Sequence, residues 1–118
     1  MPSAIHADLA GGRWQEFSLV EQLGNIGSEV SRALKARARG DRERELSAVE
    51  RGLELFDLTL ADPKHRGRRK EICRAREVVC DFFLGDNEYQ TDGESLDRYF
   101  LTYAIAARLG ARPSRPLR

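Results

Sequence analysis

The sequence predicts an all-α protein, an antiparallel four-helix bundle with flexible N- and C-terminal tails. Four segments carry apolar residues at alternating spacings of three and four, which is the period that gathers side chains onto one face of a helix. Glycine, proline and capping residues separate these segments, and the short links between them favour antiparallel neighbours. We identify no internal repeat and no segment with the pattern of a β-strand.

Length and composition limit the class of protein. The chain has 118 residues, 41% of them hydrophobic, which is enough for one core and too little for two. Lys and Arg number 20 and Asp and Glu 19, a net charge of +1, so the overall charge favours neither a nucleic-acid nor a membrane partner. No apolar run approaches the roughly 20 residues of a membrane span, and the first residues do not resemble a secretory signal. We therefore expect a cytoplasmic protein that does not associate with membranes.

The composition divides the chain into three parts. Residues 1–13 mix proline, glycine, alanine and isolated charges without periodicity, so we expect a flexible arm. Residues 14–110 form the helical bundle domain. Residues 111–118, ARPSRPLR, have no apolar pattern and are expected to be a disordered basic tail.

The first predicted helix begins at a capping box, Ser18 followed by Glu21, and ends at Gly40. Its apolar stripe is Leu19, Leu23, Ile26, Val30 and Ala33. A neighbouring strip consists of small residues, Gly24, Gly27, Ser28 and Ser31. Glycine lowers helix propensity, but small side chains let another helix approach closely, so the strip predicts a tight helix crossing.

The second predicted helix is capped by Asp41 and runs over about residues 42–61. Its predicted core stripe is Leu46, Val49, Leu53, Phe56 and Leu60. Much of its remaining surface is acidic, through Glu43, Glu45, Glu50, Glu54 and Asp57. Opposite charges attract, so this surface is expected to face the basic beginning of the third helix.

The third predicted helix starts at Asp62 and Pro63 and ends at Gly85. Its second half carries the apolar residues Ile72, Ala75, Val79, Phe82 and Phe83. The fourth predicted helix opens with a capping box of Thr91 and Glu94 and closes at Gly110. Leu101 and Ile105 lie outside its main stripe, which favours a homodimer or a small-protein partner.

Cofactor chemistry has little support in the sequence. His6 lies in the arm, His65 stands alone, and there is no Glu-x-x-His pair of a di-iron bundle. We therefore predict no metal and no cofactor. Cys73 and Cys80 lie seven positions apart on one helix, about 10 Å of rise, which is too far for a disulfide. We expect both thiols to be reduced, partly buried and structural.

A basic cluster occupies the start of the third helix, and two interpretations compete. Its members are Lys64, His65, Arg66, Arg68, Arg69 and Lys70. The first interpretation is that solvent and the acidic second helix balance these charges. The second is that Lys64, Arg66, Arg68, Arg69 and Lys70 bind the phosphates of RNA or DNA.

Arg76 falls on the apolar stripe of the third helix. A buried guanidinium needs a carboxylate or polar partner, and Glu29 and Asp57 are the candidates. Arg76 either forms a structural ion pair that fixes the register of two helices or belongs to a ligand-binding pocket. The pocket predicted on the second interpretation contains Arg76, Glu29, Asp81 and Asn25.

Two segments resemble HEPN domains. LGNIGSEVSRAL, residues Leu23 to Leu34, is similar to the helix with an Ile-Gly-Glu-Ala-Val core, and RAREVVCDFF, residues Arg74 to Phe83, resembles the Arg-x-x-x-x-His helix. The resemblance implies a small, often dimeric helical bundle. Many members are ribonucleases of toxin-antitoxin and phage-defence systems, and others are noncatalytic partners of nucleotidyltransferases.

The resemblance places Arg76 at the family's arginine and Asp81 where the catalytic histidine belongs. Glu77 replaces the polar residue that usually follows the arginine. Aspartate is ionised at neutral pH and substitutes poorly for imidazole as an acid and base, so the resemblance implies that RNA cleavage is lost and binding is kept. A dimer cleft lined by Arg76 from each subunit would then hold RNA, an antitoxin or a nucleotidyltransferase.

Three functions follow as hypotheses. The first is a catalytically degenerate HEPN-like bundle that acts as an RNA-associated or toxin-antitoxin-type interaction module, with no catalytic residue. The second is a structural adaptor that docks a larger protein and has no nucleic-acid role. The third is an active, metal-independent ribonuclease that uses Arg76 with His65, Asp81 or Glu77.

Overall fold

The computed structural model describes residues 12–110, and this part of the chain is an all-α arrangement of four helices, as predicted. The helices are α1, Leu19–Ala38; α2, Arg42–Leu60; α3, Arg69–Leu84; and α4, Gly93–Leu109. Two short 3-10 turns, Arg13–Glu16 and Pro63–Arg68, precede α1 and α3. Most of the predicted arm and the whole predicted tail lie outside the described residues.

Side-chain contacts give the direction of each helix. Arg37, near the end of α1, binds Glu45, near the start of α2, whereas Trp14 before α1 binds Thr59 at the end of α2. The two helices therefore run antiparallel. In the same way Gly24 lies against Ala104 and Gly93 lies against Leu34, so α1 and α4 are also antiparallel.

The core lies between the four helices and includes one residue from the first 3-10 turn. Trp14, Phe56, Phe100 and Tyr103 are its largest fully buried side chains. Phe56 and Phe100 meet edge to face, with ring centroids 6.2 Å apart, which is a favoured aromatic geometry. Aromatic side chains from α2 and α4 thus fill the centre of the bundle.

The strip of small residues on α1 does receive another helix, as predicted. A Cβ atom added to Gly27 would lie 2.5 Å from the Cβ of Phe100, and one added to Gly24 would lie 3.1 Å from the Cα of Ala104. No side chain larger than hydrogen fits at Gly27 without moving α4. The small residues therefore set the distance between α1 and α4.

The predicted N-terminal cap of α1 is confirmed, whereas the cap of α4 lies one residue after its predicted position. Ser18 and Glu21 form the capping box of α1, with both reciprocal hydrogen bonds present. The cap of α4 is Asp92 and not Thr91, because the Asp92 carboxylate accepts the Ser95 N–H at 2.8 Å. The backbone N–H of Thr91 is instead donated to the side chain of Asn87.

The third predicted helix is interrupted. Residues Pro63–Arg68 form a 3-10 turn, and the α-helix begins only at Arg69. Asp62 caps this turn by accepting the Lys64 N–H at 3.1 Å, and the turn buries His65. Gly67, a weak helix former, lies within it.

The buried face of α2 is rotated from the predicted one. Leu46, a predicted core residue, is 39% exposed, whereas Glu45 and Thr59 are buried. Polar residues occupy this face because they bind partners on other elements: Glu45 binds Arg37 of α1, and Thr59 accepts the indole N–H of Trp14. Glu45 also binds Arg42 within α2. A pattern of large apolar residues alone cannot reveal such a face.

Among residues 12–110, no helix combines the length and the apolar character that crossing a membrane requires.

Candidate nucleic-acid interface

The predicted basic cluster separates into exposed and paired cations. Arg66, Arg69 and Lys70 are exposed, and none of the three forms a salt bridge with another residue in the described part of the chain. Arg69 and Lys70 line a depression of ≈ 480 Å³ together with Cys73, Arg74 and Glu77. We call Arg69, Lys70 and Arg74 the α3 basic surface.

An exposed aromatic ring lies at the edge of the α3 basic surface. The guanidinium of Arg74 is 4.7 Å from the ring centroid of Tyr89, in the loop between α3 and α4. The Tyr89 hydroxyl donates a hydrogen bond to Glu77, at 3.0 Å, and this bond is the main reason that the pKa of Tyr89 is raised. Cations beside a ring that can stack on a base are the combination that single-stranded nucleic acid favours.

Lys64 and Arg68 each form a salt bridge with a carboxylate. Lys64 Nζ is 2.6 Å from Asp62 Oδ2, and Arg68 Nε is 2.7 Å from Glu71 Oε1. Burial alone would lower the pKa of Arg68, but Glu71 raises it above its usual value. Both side chains line a cleft of ≈ 330 Å³ next to His65 and Tyr103. These two predicted phosphate ligands are therefore less available than their neighbours.

His65 belongs to the interior and not to the surface. It is 5% exposed, and its Nε2 lies 2.7 Å from Gln22 Oε1. Gln22 Nε2 donates to the carbonyl oxygen of Trp14 at 2.8 Å, so Oε1 is the acceptor and His65 Nε2 must carry a proton. We call Trp14, Gln22, Thr59, Asp62 and His65 the buried polar cluster.

Charge in the buried polar cluster favours a neutral imidazole beside an ionised carboxylate. Burial lowers the pKa of His65, and Lys64 and Arg68 lower it further, against the opposing effect of Asp62. Burial would raise the pKa of Asp62, but hydrogen bonds from the Lys64 side chain and backbone outweigh it and leave the pKa lowered. At neutral pH the cluster therefore holds one carboxylate and no imidazolium.

Arg76 joins two helices. Its side chain is 34% exposed, and its Nε lies 3.0 Å from Asp57 Oδ1 on α2. Asp57 is one of the two carboxylates proposed for it from the sequence. The Arg76 guanidinium also lies 3.8 Å from Cys80 Sγ, and burial raises the pKa of that thiol. Cys73, expected to be partly buried, is exposed because it faces the depression beside the α3 basic surface.

The other members of the predicted pocket have separate partners. Glu29 is 7% exposed and binds Arg32 and Arg51, at 3.1 Å each. Asn25 donates a hydrogen bond to the Glu21 carbonyl oxygen within α1. Asn25 and Glu29 nevertheless line one cleft of ≈ 280 Å³, whereas Arg76 binds Asp57.

Asp81 holds the loop that follows α3. Its Oδ1 accepts the Glu88 N–H at 2.7 Å, and its Oδ2 accepts the Tyr89 N–H at 3.0 Å. Both carboxylate oxygens are therefore used in positioning Tyr89 against Arg74. In this way Asp81 supports the α3 basic surface.

A second concentration of cations lies between α1 and α2, and the sequence analysis missed it. We call it the α1–α2 groove; it has a volume of ≈ 330 Å³. Its charged lining residues are Arg32, Lys35, Arg39, Arg44 and Arg51. The spacing of residues 32, 35 and 39 by three and four was a usable signal, but the facing cations on α2 follow only from how the two helices pack.

Within residues 12–110, no group of three or more His, Cys, Asp or Glu side chains is placed to hold a metal ion. Comparison of this chain with known protein families, curated proteins and solved structures gives no match.

Proposed function

We propose that this chain is a catalytically degenerate, HEPN-like helical bundle that acts as an RNA-associated interaction module of the toxin-antitoxin type. The observation that carries the proposal is the α3 basic surface with its adjoining ring. Arg69 and Lys70 have no ion-pair partner among the described residues, and Arg74 stacks on Tyr89. Single-stranded RNA offers phosphates for the cations and bases for the ring.

The role of Asp81 supports a binding module over a nuclease. This residue stands where the resemblance places the catalytic histidine, and both of its carboxylate oxygens accept backbone N–H groups. A general base must lie within hydrogen-bond reach of the proton that it abstracts, and these two hydrogen bonds direct Asp81 at the loop that follows α3. His65, the other candidate base, is buried and bound to Gln22.

A second candidate function is the structural adaptor, favoured by an apolar stripe on α4. Leu101, Ile105 and Leu109 are 52%, 45% and 74% exposed and follow one another at intervals of four, so they share one face of the helix. Such a stripe suits a protein partner or a second copy of the chain. The substitution Ile105→Asp should release that partner and leave RNA binding unchanged.

The proposal is tested by RNA binding measured against salt concentration. We expect the double variant Arg69→Gln, Lys70→Gln to lose affinity for a single-stranded RNA. The slope of log K against log salt should fall by about 0.7 for each phosphate contact removed. Fluorescence anisotropy with a labelled oligonucleotide between 50 and 200 mM salt gives both quantities.

A matched control removes two positive charges from another element. Arg98 and Arg108 on α4 are exposed, so Arg98→Gln, Arg108→Gln has the same net charge as the test variant. If both variants bind RNA equally, the α3 basic surface is not the binding site. If the unaltered chain binds no RNA at 50 mM salt and copurifies with a stable protein partner, the adaptor replaces the present proposal.

A further inference from the structure

The α1–α2 groove gathers more positive charge than any packing requirement explains. Five cations line it, and two carboxylates bind members of the set, Glu29 and Asp41. Five minus two leaves an excess of three positive charges, in a chain whose total is +1. Like charges held close together repel, so an anionic ligand would stabilise the groove.

The groove is built in two parts. In the first part, the buried Glu29 binds Arg32 of α1 and Arg51 of α2, and Arg51 also donates to Ser47 at 3.4 Å. A buried carboxylate that is paired twice holds both guanidiniums in place. The wall is thus fixed before any ligand arrives.

The second part is free to bind. Lys35 of α1 and Arg39, the residue that follows α1, line the groove and have no carboxylate partner among residues 12–110. The side chain of Arg44 on the opposite wall is 78% exposed, although its Nε lies 3.4 Å from Asp41. Cations on facing walls can contact separate phosphate groups of one ligand, and arginine contacts two oxygens of a phosphate at once.

The size of the groove favours a small ligand. Its volume of ≈ 330 Å³ falls at the lower end of small-molecule sites, about 300–1,000 Å³. Ala36 and Ala48, both 1% exposed, are its apolar lining, so the site is charged at the walls and apolar between them.

We propose that the α1–α2 groove binds a small ligand that carries several linked phosphate groups. Both a nucleoside triphosphate and an inorganic polyphosphate present this chemistry. The proposal is independent of RNA binding by the α3 basic surface, since the two sites share no residue.

The test uses the full chain with two probes, inorganic tripolyphosphate and ATP, at constant ionic strength. Isothermal titration calorimetry should give saturable binding with one site per chain. Lys35→Gln with Arg39→Gln should weaken both probes by about tenfold or more, since charge-assisted hydrogen bonds are lost. Tighter binding of ATP than of tripolyphosphate would identify the nucleotide as the natural source, and equal binding would identify the polyphosphate.

The control is Arg98→Gln with Arg108→Gln, which removes the same charge from exposed positions on α4. It should bind tripolyphosphate as the unaltered chain does. Equal weakening in both variants, or no saturable binding, would overturn the proposal. So would loss of RNA affinity in the groove variant, because the groove would then be an RNA contact.

Thermal unfolding separates ligand binding from a purely structural role. Lysine and arginine near the end of α1 also interact favourably with the helix dipole. If that is their whole purpose, Lys35→Gln with Arg39→Gln lowers the melting temperature and the probes have no effect on either protein. If the groove binds phosphate, the double variant melts at the same or a higher temperature without probe and loses the stabilisation that tripolyphosphate provides.

Discussion

The contact of α1 with α4 and the buried polar cluster stabilise the fold by opposite means. At the first, Gly27 and Gly24 present no side chain, and α4 approaches until Phe100 fills the space. At the second, Gln22 bridges the carbonyl of Trp14 and the imidazole of His65 through hydrogen bonds of 2.8 and 2.7 Å. The first region depends on close packing and the second on hydrogen-bonded polar groups, so different kinds of substitution destabilise them.

The largest expected effect is in the buried polar cluster. The substitution Gln22→Leu preserves much of the volume but leaves the His65 Nε2 without its hydrogen-bond partner. It also removes one of two hydrogen bonds to the Trp14 carbonyl oxygen, which keeps only the Phe17 N–H. An unsatisfied buried group costs about 1–3 kcal/mol and a lost hydrogen bond about 1 kcal/mol, so we expect a loss of about 3 kcal/mol in the free energy of unfolding. Urea unfolding followed by the fluorescence of Trp14, the single tryptophan, measures it.

The control for this variant is Gln15→Leu, an exposed glutamine at which a change should stay within about 0.5 kcal/mol. Should Gln22→Leu be equally mild, the hydrogen bonds of the cluster contribute little, and the contrast between the two regions disappears.

A smaller effect is expected where α1 meets α4. The methyl group of Gly27→Ala would lie 2.5 Å from the Phe100 Cβ, so the helices must separate, and overpacking typically costs about 1–3 kcal/mol. We expect about 2 kcal/mol of destabilisation in the same urea experiment.

Gly52→Ala is the matched control, since Gly52 is also buried within a helix. Its added Cβ would lie 3.5 Å from the Glu29 Cβ, an ordinary contact. Alanine has the higher helix propensity by about 1 kcal/mol, so this variant should be as stable as the unaltered chain or more so. A Gly27→Ala protein with the same behaviour would contradict the close approach of α4.

The smallest expected effect is on the pH dependence of stability. It arises in the buried polar cluster and not where α1 meets α4. The pKa of His65 is lowered in the folded protein from 6.5, so the unfolded chain binds the proton more readily. The neutral imidazole therefore contributes fully to the stability of the folded protein above about pH 6.5. This contribution is lost as the pH falls below that value. The lowered pKa of Asp62 affects stability in a different pH range, below the ordinary carboxyl value of 3.8.

Urea midpoints at pH 7.5 and 5.5 test this expectation. The unaltered chain should lose stability between the two, and His65→Gln should lose less. Gly27→Ala should keep the full pH dependence, because its defect lies in the packing region. Equal pH dependence in the unaltered chain and His65→Gln would show that His65 titrates as it does in the unfolded state.

Local patterns predicted much of the helical fold. The capping box of Ser18 and Glu21, the ends of α1 and the strip of small residues depend on residues within a few positions of one another, and they were predicted correctly. The ion pair of Arg76 with Asp57 was one of two proposed options. The choice between Asp57 and Glu29 was not available, because both carboxylates are charged and lie on neighbouring helices.

Less of the candidate site could be predicted from the sequence. The exposed cations Arg66, Arg69 and Lys70 were identified as a basic cluster, but His65 was counted with them and is buried. The α1–α2 groove was missed because its walls come from two helices whose relative rotation depends on Glu45, Thr59 and Glu29, residues that a search for apolar stripes ignores.

The sequence by itself determined the helical class, the positions of most helix ends and the place where α1 accepts a close neighbour. These features depend on the period of the apolar residues and on capping chemistry, which act over one or two helical turns. Only the tertiary structure decided which face of α2 is buried, where His65 lies and which cations face one another. Those outcomes depend on pairings such as Trp14 with Thr59 and Glu29 with Arg51, whose members are far apart along the chain and meet only when the helices pack.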